Sequence, residues 1–303
     1  MSFLIYPYVD GQLKEHILFQ DEQLHYSIYS PQSSPQFYGD ILWHWHEEFE
    51  FGYVIEGTLL YKTNHQEYIL KEGDGIFLNS GALHYIHLLV PAGNARIHSQ
   101  FFDRRFLGGD PDSIYDTKYI APVMQQKQLQ AIPFYRQNKE DQYVLHQLTE
   151  AIRLAHKQPL FYEFHLRNLF SCLWETVYLR ATKQIPSQEL YNLKENERIK
   201  KMLTFIQEHY SEKLTVAQIA GCVPISEREC YRLFQNSLGT TPTEFLLSVR
   251  LKKSRNLLAT TQKSIVEVAL ESGFSNSSYF GKLFRQQYLM SPGEYRMYSK
   301  KYF

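Results

Sequence analysis

Cysteine is nearly missing from this chain. Its three copies, Cys172, Cys222 and Cys230, are widely spaced and odd in number. Such a set frames no disulfide scaffold and suits a reducing compartment, where each reads first as a small buried hydrophobe. A basic leader is missing too. The opening MSFLIYPYVDG carries neither a charged n-region nor a long apolar run, which argues against a signal peptide. No stretch approaches the roughly 20 apolar residues that a membrane-crossing helix needs. Net charge is also lacking, with 32 Lys+Arg against 32 Asp+Glu. Neutrality alone would argue against a nucleic-acid partner. A soluble cytoplasmic protein is expected, and 303 residues suggest about two domains.

The neutral total hides an asymmetry. From Lys194 onward there are 17 Lys+Arg against 10 Asp+Glu, a surplus of seven that the rest of the chain balances. A basic C-terminal third beside an acidic remainder fits a tethered nucleic-acid-binding domain, although scattered surface charge could give the same split. Aromatics are plentiful, at 23 Tyr and 20 Phe, enough for a large aromatic core or an aromatic-lined pocket.

The basic third contains the most informative stretch, SIVEVALESGFSNSSYFGKLFRQQYLMSPGEYR, Ser264 to Arg296. Ser264 can cap a helix that turns Ile265, Val268 and Ala269 to one face. Gly273 falls where a tight turn needs positive φ. Ser275 offers a second cap, and the next helix points Phe280, Leu283 and Phe284 inward. Two short helices joined by such a turn describe a helix-turn-helix, whose second helix enters the DNA major groove.

A similar unit precedes it. Glu195 to Tyr210 reads as an amphipathic helix with Ile199, Leu203 and Ile206 inward. Thr215 caps Val216 to Ala220, and Ser226 caps ERECYRLFQNSLG, in which Leu233 and Phe234 face inward and Gly239 closes the helix. Pro242 suits the first turn of a further helix to about Ala259, apolar at Phe245, Leu246, Val249 and Leu257. This pattern closely resembles the C-terminal signature of the AraC/XylS family of transcription regulators, from Ile265 through Gly273-Phe274 to Pro292-Gly293-Glu294-Tyr295-Arg296. In that family the connecting helix holds two readers one major groove apart, about 34 Å along the duplex. Base-reading positions are then Arg228, Glu229, Tyr231 and Arg232 in the first unit and Asn276, Ser277, Ser278 and Lys282 in the second. Arg can pair with guanine and Asn with adenine. Ser226 and Ser275 fit phosphate, and Lys252, Lys253 and Arg255 on the connecting helix face phosphate or solvent.

Met1 to about Phe106 reads as β, with short Tyr/Ile/Phe/Val runs between turn signals at Asp10-Gly11, Pro31 to Pro35, Gly39-Asp40, Glu56-Gly57, Gly73-Asp74-Gly75, Asn79-Ser80-Gly81 and Pro91 to Asn94. Within it, GDILWHWHEEFEFGYVIEG places His44, His46 and Glu50 at one parity, facing one side of an unbroken strand. Downstream lie Gly73-Asp74-Gly75 and Gly81-Ala82-Leu83-His84. These segments resemble the two motifs of the cupin fold, a small jelly-roll barrel. The resemblance implies a metal-ligand set of His44, His46, Glu50 and His84, although Asn79 and Leu88 stand where the second motif usually has Pro and Asn. Three His and one carboxylate suit a divalent metal. Pocket groups that orient a small effector, or plain structural use, are the first reading and metal the second. Trp43 and Tyr53 could stack on a ligand or pack in the core, and Phe3, Tyr6 and Tyr8 could form a lid or a first edge strand.

From about Asp141 to Ala181 the period turns helical. Val144, Leu145, Leu148, Ile152 and Ala155 trace one stripe. Leu166, Leu169, Phe170, Leu173, Trp174 and Val177 trace another. Family resemblance implies dimerisation there; packing on the barrel is the alternative. The polar run Thr182 to Asn192, around Pro186, reads as a linker. The expected architecture is α+β: a cupin jelly-roll β-barrel with trailing helices over 1–182, a linker over 183–193, and an all-α domain with two helix-turn-helix units over 194–303. The expected protein is a dimeric, sequence-specific, ligand-responsive regulator that binds double-stranded DNA. The resemblance implies activation of carbohydrate-utilisation genes, a sugar effector, and contact with RNA polymerase, with no cofactor required. The alternative is a metal-dependent cupin enzyme, an isomerase or dioxygenase.

Overall fold

The computed structural model describes residues 9–302 apart from 11, 20, 31, 34–40, 65, 90–94 and 184–188. The suggested lid residues Phe3, Tyr6 and Tyr8 lie outside the described residues, as do the turns at Gly39-Asp40 and Pro91 to Asn94 and the linker centre at Pro186. The chain divides into two compact units, Met1–Lys194 and Glu195–Phe303.

The first unit is built on two antiparallel sheets. One has the order β1 (Tyr26–Tyr29), β9 (Ala95–Phe102), β4 (Phe49–Glu56), β7 (Gly75–Leu78) and β10 (Ala131–Phe134), with β2 (Gln32–Ser33) also paired to β9. The other has the order β3 (Ile41–His44), β8 (His84–Leu88), β5 (Thr58–Thr63) and β6 (Gln66–Lys71). The jelly-roll expectation thus appears as two ladders, not one closed barrel. Alternation along β4 explains the layering. Val54 joins Leu59, Tyr61, Leu70, Ile76, Ile86 and Ile97 in a core that draws on both sheets. Phe49 and Phe51 point the other way, into a second core with Phe77, Phe102, Phe134 and Trp174.

That second core is closed by α3 (Gln142–Lys157) and α4 (Tyr162–Lys183). Val144, Leu145, Leu148, Phe170, Leu173, Trp174 and Val177 are all buried in it. The two apolar stripes therefore belong to this protomer's own core and are not exposed for dimerisation. Their rings and branched chains satisfy the aromatic face of the sheet first. The stretch Gly108 to Lys139, which lacks sequence periodicity, holds α2 (Ala121–Met124) and strand β10; α1 (Arg104–Gly108) leads into it.

The second unit is helical: α5 (Glu189–His209), which starts in the first unit, then α6 (Val216–Gly221), α7 (Glu227–Leu238), α8 (Pro242–Thr260), α9 (Ile265–Glu271), α10 (Ser277–Tyr288) and α11 (Pro292–Tyr302). Helix α5 begins six residues before Glu195, so helix replaces much of the C-terminal part of the expected linker. Its inward residues Ile199, Met202, Leu203 and Ile206 are fully buried. On α8 the buried set is Phe245, Leu246, Val249, Leu251 and Leu258, with Leu257 only half-buried.

Candidate functional site

Short helices are unstable alone, so their ends must be satisfied locally. Thr215 accepts from the Gln218 backbone N–H while the Gln218 side chain answers the Thr215 N–H, a reciprocal capping box. Thr241 with Glu244 and Ser264 with Glu267 repeat it. Ser291 and Glu294 exchange the same two bonds at the start of α11, at 2.6 and 3.3 Å. Ser226 caps α7. The cap of α10 is Asn276, not Ser275: its Oδ1 accepts from Ser278 N at 2.8 Å and Tyr279 N at 3.1 Å. An Asn oxygen reaches both N–H groups, and Ser275 sits one position too early. The Asn276 oxygen is thereby committed, which leaves only its amide donors for a ligand.

Gly273 has φ +83°, and a Cβ built there would lie 2.5 Å from Tyr210 O and 2.8 Å from Arg250 Nε. Arg250, from the middle of α8, donates to Tyr210 O and Glu212 O, both at 2.7 Å. The connecting helix thus grips the entry to the first unit beside the turn of the second.

The two reader helices present different surfaces. On α7, Glu227, Arg228, Tyr231, Gln235 and Asn236 are exposed, while Cys230, Leu233 and Phe234 are buried. Arg232 does not stand free. It donates to Glu229 at 2.8 and 2.6 Å and to Glu195 of α5 at 2.6 Å. Glu229 and then Glu195 stabilise its charge, and Arg232 in turn holds the Glu229 carboxyl below its ordinary range. On α10, Ser275 to Tyr279, Lys282, Arg285, Gln286 and Gln287 are exposed; Phe280 and Phe284 are buried, and Leu283 is half-buried. Lys253 and Arg255 lie over the rings of Tyr210 and Tyr288, at 5.5 and 5.6 Å, so aromatic faces engage cations expected to face phosphate or solvent.

In the first unit the chain breaks between β3 and β4, yet His44, His46, Glu50 and His84 still converge. Each histidine donates Nδ1–H to a carbonyl two residues away: His44 to Leu42 O at 2.7 Å, His46 to Glu48 O at 2.9 Å, His84 to Ala82 O at 3.0 Å. This pattern selects one tautomer and turns all three Nε2 atoms toward the carboxylates. His46 Nε2 lies 3.2 Å and His84 Nε2 3.7 Å from Glu50 Oε2. His44 Nε2 lies 3.2 Å from Glu15 Oε2. All five side chains are almost completely buried. Burial opposes charge on His46, but its bond to Glu50 and the nearby carboxylates outweigh this and raise its pKa. The ligand atoms of His46, Glu50 and His84 all lie within 4.8 Å of one another.

Comparison with known proteins agrees with both units. Residues 216–298 match a helix-turn-helix domain model, and residues 35–97 match a cupin domain model. The uncharacterized HTH-type transcriptional regulator YdeC of Bacillus subtilis is 26% identical over 288 residues, covering 95% of this chain and 97% of its own. The HTH-type transcriptional activator RhaS of Klebsiella pneumoniae is 23% identical over 253 residues, 84% of this chain and 86% of its own. A crystal structure of an AraC-type regulator from Chromobacterium violaceum is 33% identical over 34% of this chain and 93% of that one, with TM-score 0.34. The chain is thus similar over most of its length to transcription regulators that pair a sensor-type first unit with a helix-turn-helix domain, in keeping with the resemblance to the AraC/XylS family.

In the first unit, sequence reasoning missed Glu15. An isolated parallel bridge between Lys14 and Trp45 delivers it, with Glu15 N donating to Trp45 O at 2.8 Å. No local motif announces such a pairing. The aromatic candidates do not join the cluster. Trp43 has the opposite parity to His44 and stacks on Tyr85 at 5.7 Å. Tyr53 has the parity of Phe51 and packs against the helix-covered core. The Nε2 atoms of His46 and His84, plus Glu50, are the set whose geometry fits a divalent cation, which bound there would supply a Lewis-acidic anchor for an oxygen ligand; His44, expected in the set from the sequence, turns to Glu15 instead and stands outside it. No helix among the described residues is long and apolar enough to cross a membrane.

Proposed function

We propose that this regulator is a cytoplasmic, ligand-responsive activator that reads two successive major grooves with α7 and α10. The observation that carries the reading is the repeated pair of capped helix-turn-helices joined by α8, each exposing a polar reader face. Helix α8 has 19 residues, about 28 Å of rise, which suits a spacer between neighbouring grooves. Arg228, Tyr231 and Lys282 are the leading base or phosphate contacts, with Ser226, Ser275, Ser277 and Ser278 near phosphate. Glu229 and Arg232 act as a mutual brace that orients α7, and Asn276 contributes through its amide donors.

The effector reading rests on the buried histidine and carboxylate cluster, with His44, His46, Glu50 and His84 as its polar anchors and Glu15 as a fifth. Activation follows from the likeness to RhaS, itself a transcriptional activator. A carbohydrate effector and contact with RNA polymerase follow from the family resemblance alone. A homodimer would use outward residues of α3 and α4, where Tyr143, Phe164 and Leu179 are exposed. The division into 1–182, 183–193 and 194–303 is retained as a functional division of labour, and catalysis has no part in this reading.

Selection of duplexes from a random library by the full chain tests the proposal. Two half-motifs about 10 base pairs apart are expected, with binding that weakens steeply as salt rises. Absence of any enriched motif would sink it. Stoichiometric metal in the purified protein together with turnover of a small substrate would favour the enzyme instead.

A further inference from the structure

The face of the large sheet that packs against α3 carries an open cleft of about 570 Å3, within the size range of small-molecule sites. It is separate from the histidine cluster, because Tyr53 lines it from the opposite side of β4 to Glu50. Its apolar lining comes from Ile55 and Leu145, and its walls come from β4, the β6–β7 turn, the segment after β10, and α3.

One charge in it is held ready. Arg136 N donates to Asp74 Oδ1 at 2.7 Å, and Asp74, only 7% exposed, also accepts from Lys71 N at 2.8 Å. The same segment is fixed a second time by buried Asp141, which accepts from Tyr135 N at 2.8 Å and pairs with Arg180 of α4. The Arg136 stem crosses Gly73, which has φ +87° and where a Cβ would stand 2.8 Å from Arg136 Cδ. Gly73 thus supplies both the turn and the room that the side chain uses. Among the described residues no hydrogen bond or ion pair engages the guanidinium, and Tyr53, His146 and Thr149 line the same cleft. The Thr149 hydroxyl already donates to His146 O at 2.7 Å and so faces the cleft as an acceptor. Glu72 and Gln142 complete the polar rim.

We propose that this cleft is a second ligand site that takes a small hydroxylated anion, a carboxylate or phosphate ester whose charged head meets Arg136 and whose hydroxyls face Glu72, Thr149 and Gln142. A guanidinium held by its backbone and left uncommitted is a fork for a planar or tetrahedral oxyanion. The single carboxylate at the rim disfavours a bare polyanion and rewards a ligand that also carries donors. An apolar lining from Ile55 and Leu145 suits a short carbon chain.

Calorimetric titration of the full chain with gluconate, glycerol 3-phosphate and sorbitol tests the site. At least one of the two anions should bind saturably, gluconate alone marking a carboxylate site and glycerol 3-phosphate alone a phosphate site. Arg136→Ala should weaken that binding at least tenfold, and Arg136→Lys by less, at an unchanged melting temperature. Sorbitol, lacking charge, should not saturate. Failure of both anions to bind, retention of binding in Arg136→Ala, or equal binding of sorbitol overturns the proposal. None of these outcomes touches DNA recognition, which the duplex selection judges separately.

Discussion

The two units of this regulator keep their charges in opposite places. In the β-rich unit, Glu15, His44, His46, Glu50, Asp74, His84, Asp116 and Asp141 are all buried. In the helical unit, Glu195 is the one buried carboxylate or histidine among the described residues. A buried charge requires partners and geometry, since its desolvation is costly. The β-rich unit therefore ties its fold to the pairing of interior charged groups. The helical unit stabilises itself by caps and an apolar core, and leaves its charges on the surface, where a polyanion can reach them. The two units thus rest on different physical terms, and perturbations should separate them.

The sharpest break should come from the buried pair. Asp141 is 1% exposed, accepts from Tyr135 N and pairs with Arg180, whose side chain is 25% exposed. Asp141→Ala leaves a cation uncompensated and frees the start of α3, and should cost about 3 kcal/mol or more in urea unfolding of the full chain. A loss under about 1 kcal/mol would mean that the interior charges do not hold the β-rich unit together.

Next in size is Gly273→Ala, a test of the charge-poor unit by sterics alone. The new methyl would meet Tyr210 O and Arg250 at a positive φ. A loss of about 2 kcal/mol is expected in the unfolding of the helical unit, with DNA affinity falling alongside. Pro224→Ala, in the corresponding turn of the first helix-turn-helix, should have a much smaller effect, since that turn has no residue at positive φ. Equal effects at both positions would show that the two turns are held by the same means.

For DNA binding itself, Arg228→Ala should cost about 1–3 kcal/mol and relax one base position, whereas Lys282→Ala should weaken all sequences alike and lower the salt slope by about one. The full chain's affinity, measured on cognate and scrambled duplexes at several salt concentrations, distinguishes these outcomes. An Arg228 variant with unchanged cognate affinity removes α7 from the role of reader.

What could be read in the chain beforehand follows the same division. The helical unit was legible because its determinants are local: Thr215, Ser226, Ser264 and Pro242 act within three or four residues of where they stand. Even its error is local, Ser275 in place of Asn276. The β-rich unit was legible only in part. His44, His46 and Glu50 reveal themselves by spacing, but Glu15 arrives through a bridge 31 residues away in sequence, from Lys14 to Trp45. The parity of Tyr53 was readable, but not the helices covering its face. The stripes on α3 and α4 showed that each helix buries a face, without showing what covers it. Periodicity records that a face is apolar and is silent on its partner.

The smallest expected effect is the most informative control. Lys263 and Glu271 pair at 2.6 Å on the surface of the helical unit, with side chains 43% and 44% exposed. Water and salt screen such a pair, and ordering two long side chains offsets most of its attraction. Lys263→Ala should therefore shift stability by less than about 1 kcal/mol at low salt and by nothing measurable at 1 M salt. Asp141→Ala should keep most of its cost at both salt concentrations, because its partner charge stays largely shielded from ions. If the two variants respond alike to salt, the interior charges are solvated in practice, and the contrast between a β-rich unit that stores charge and a helical unit that displays it fails.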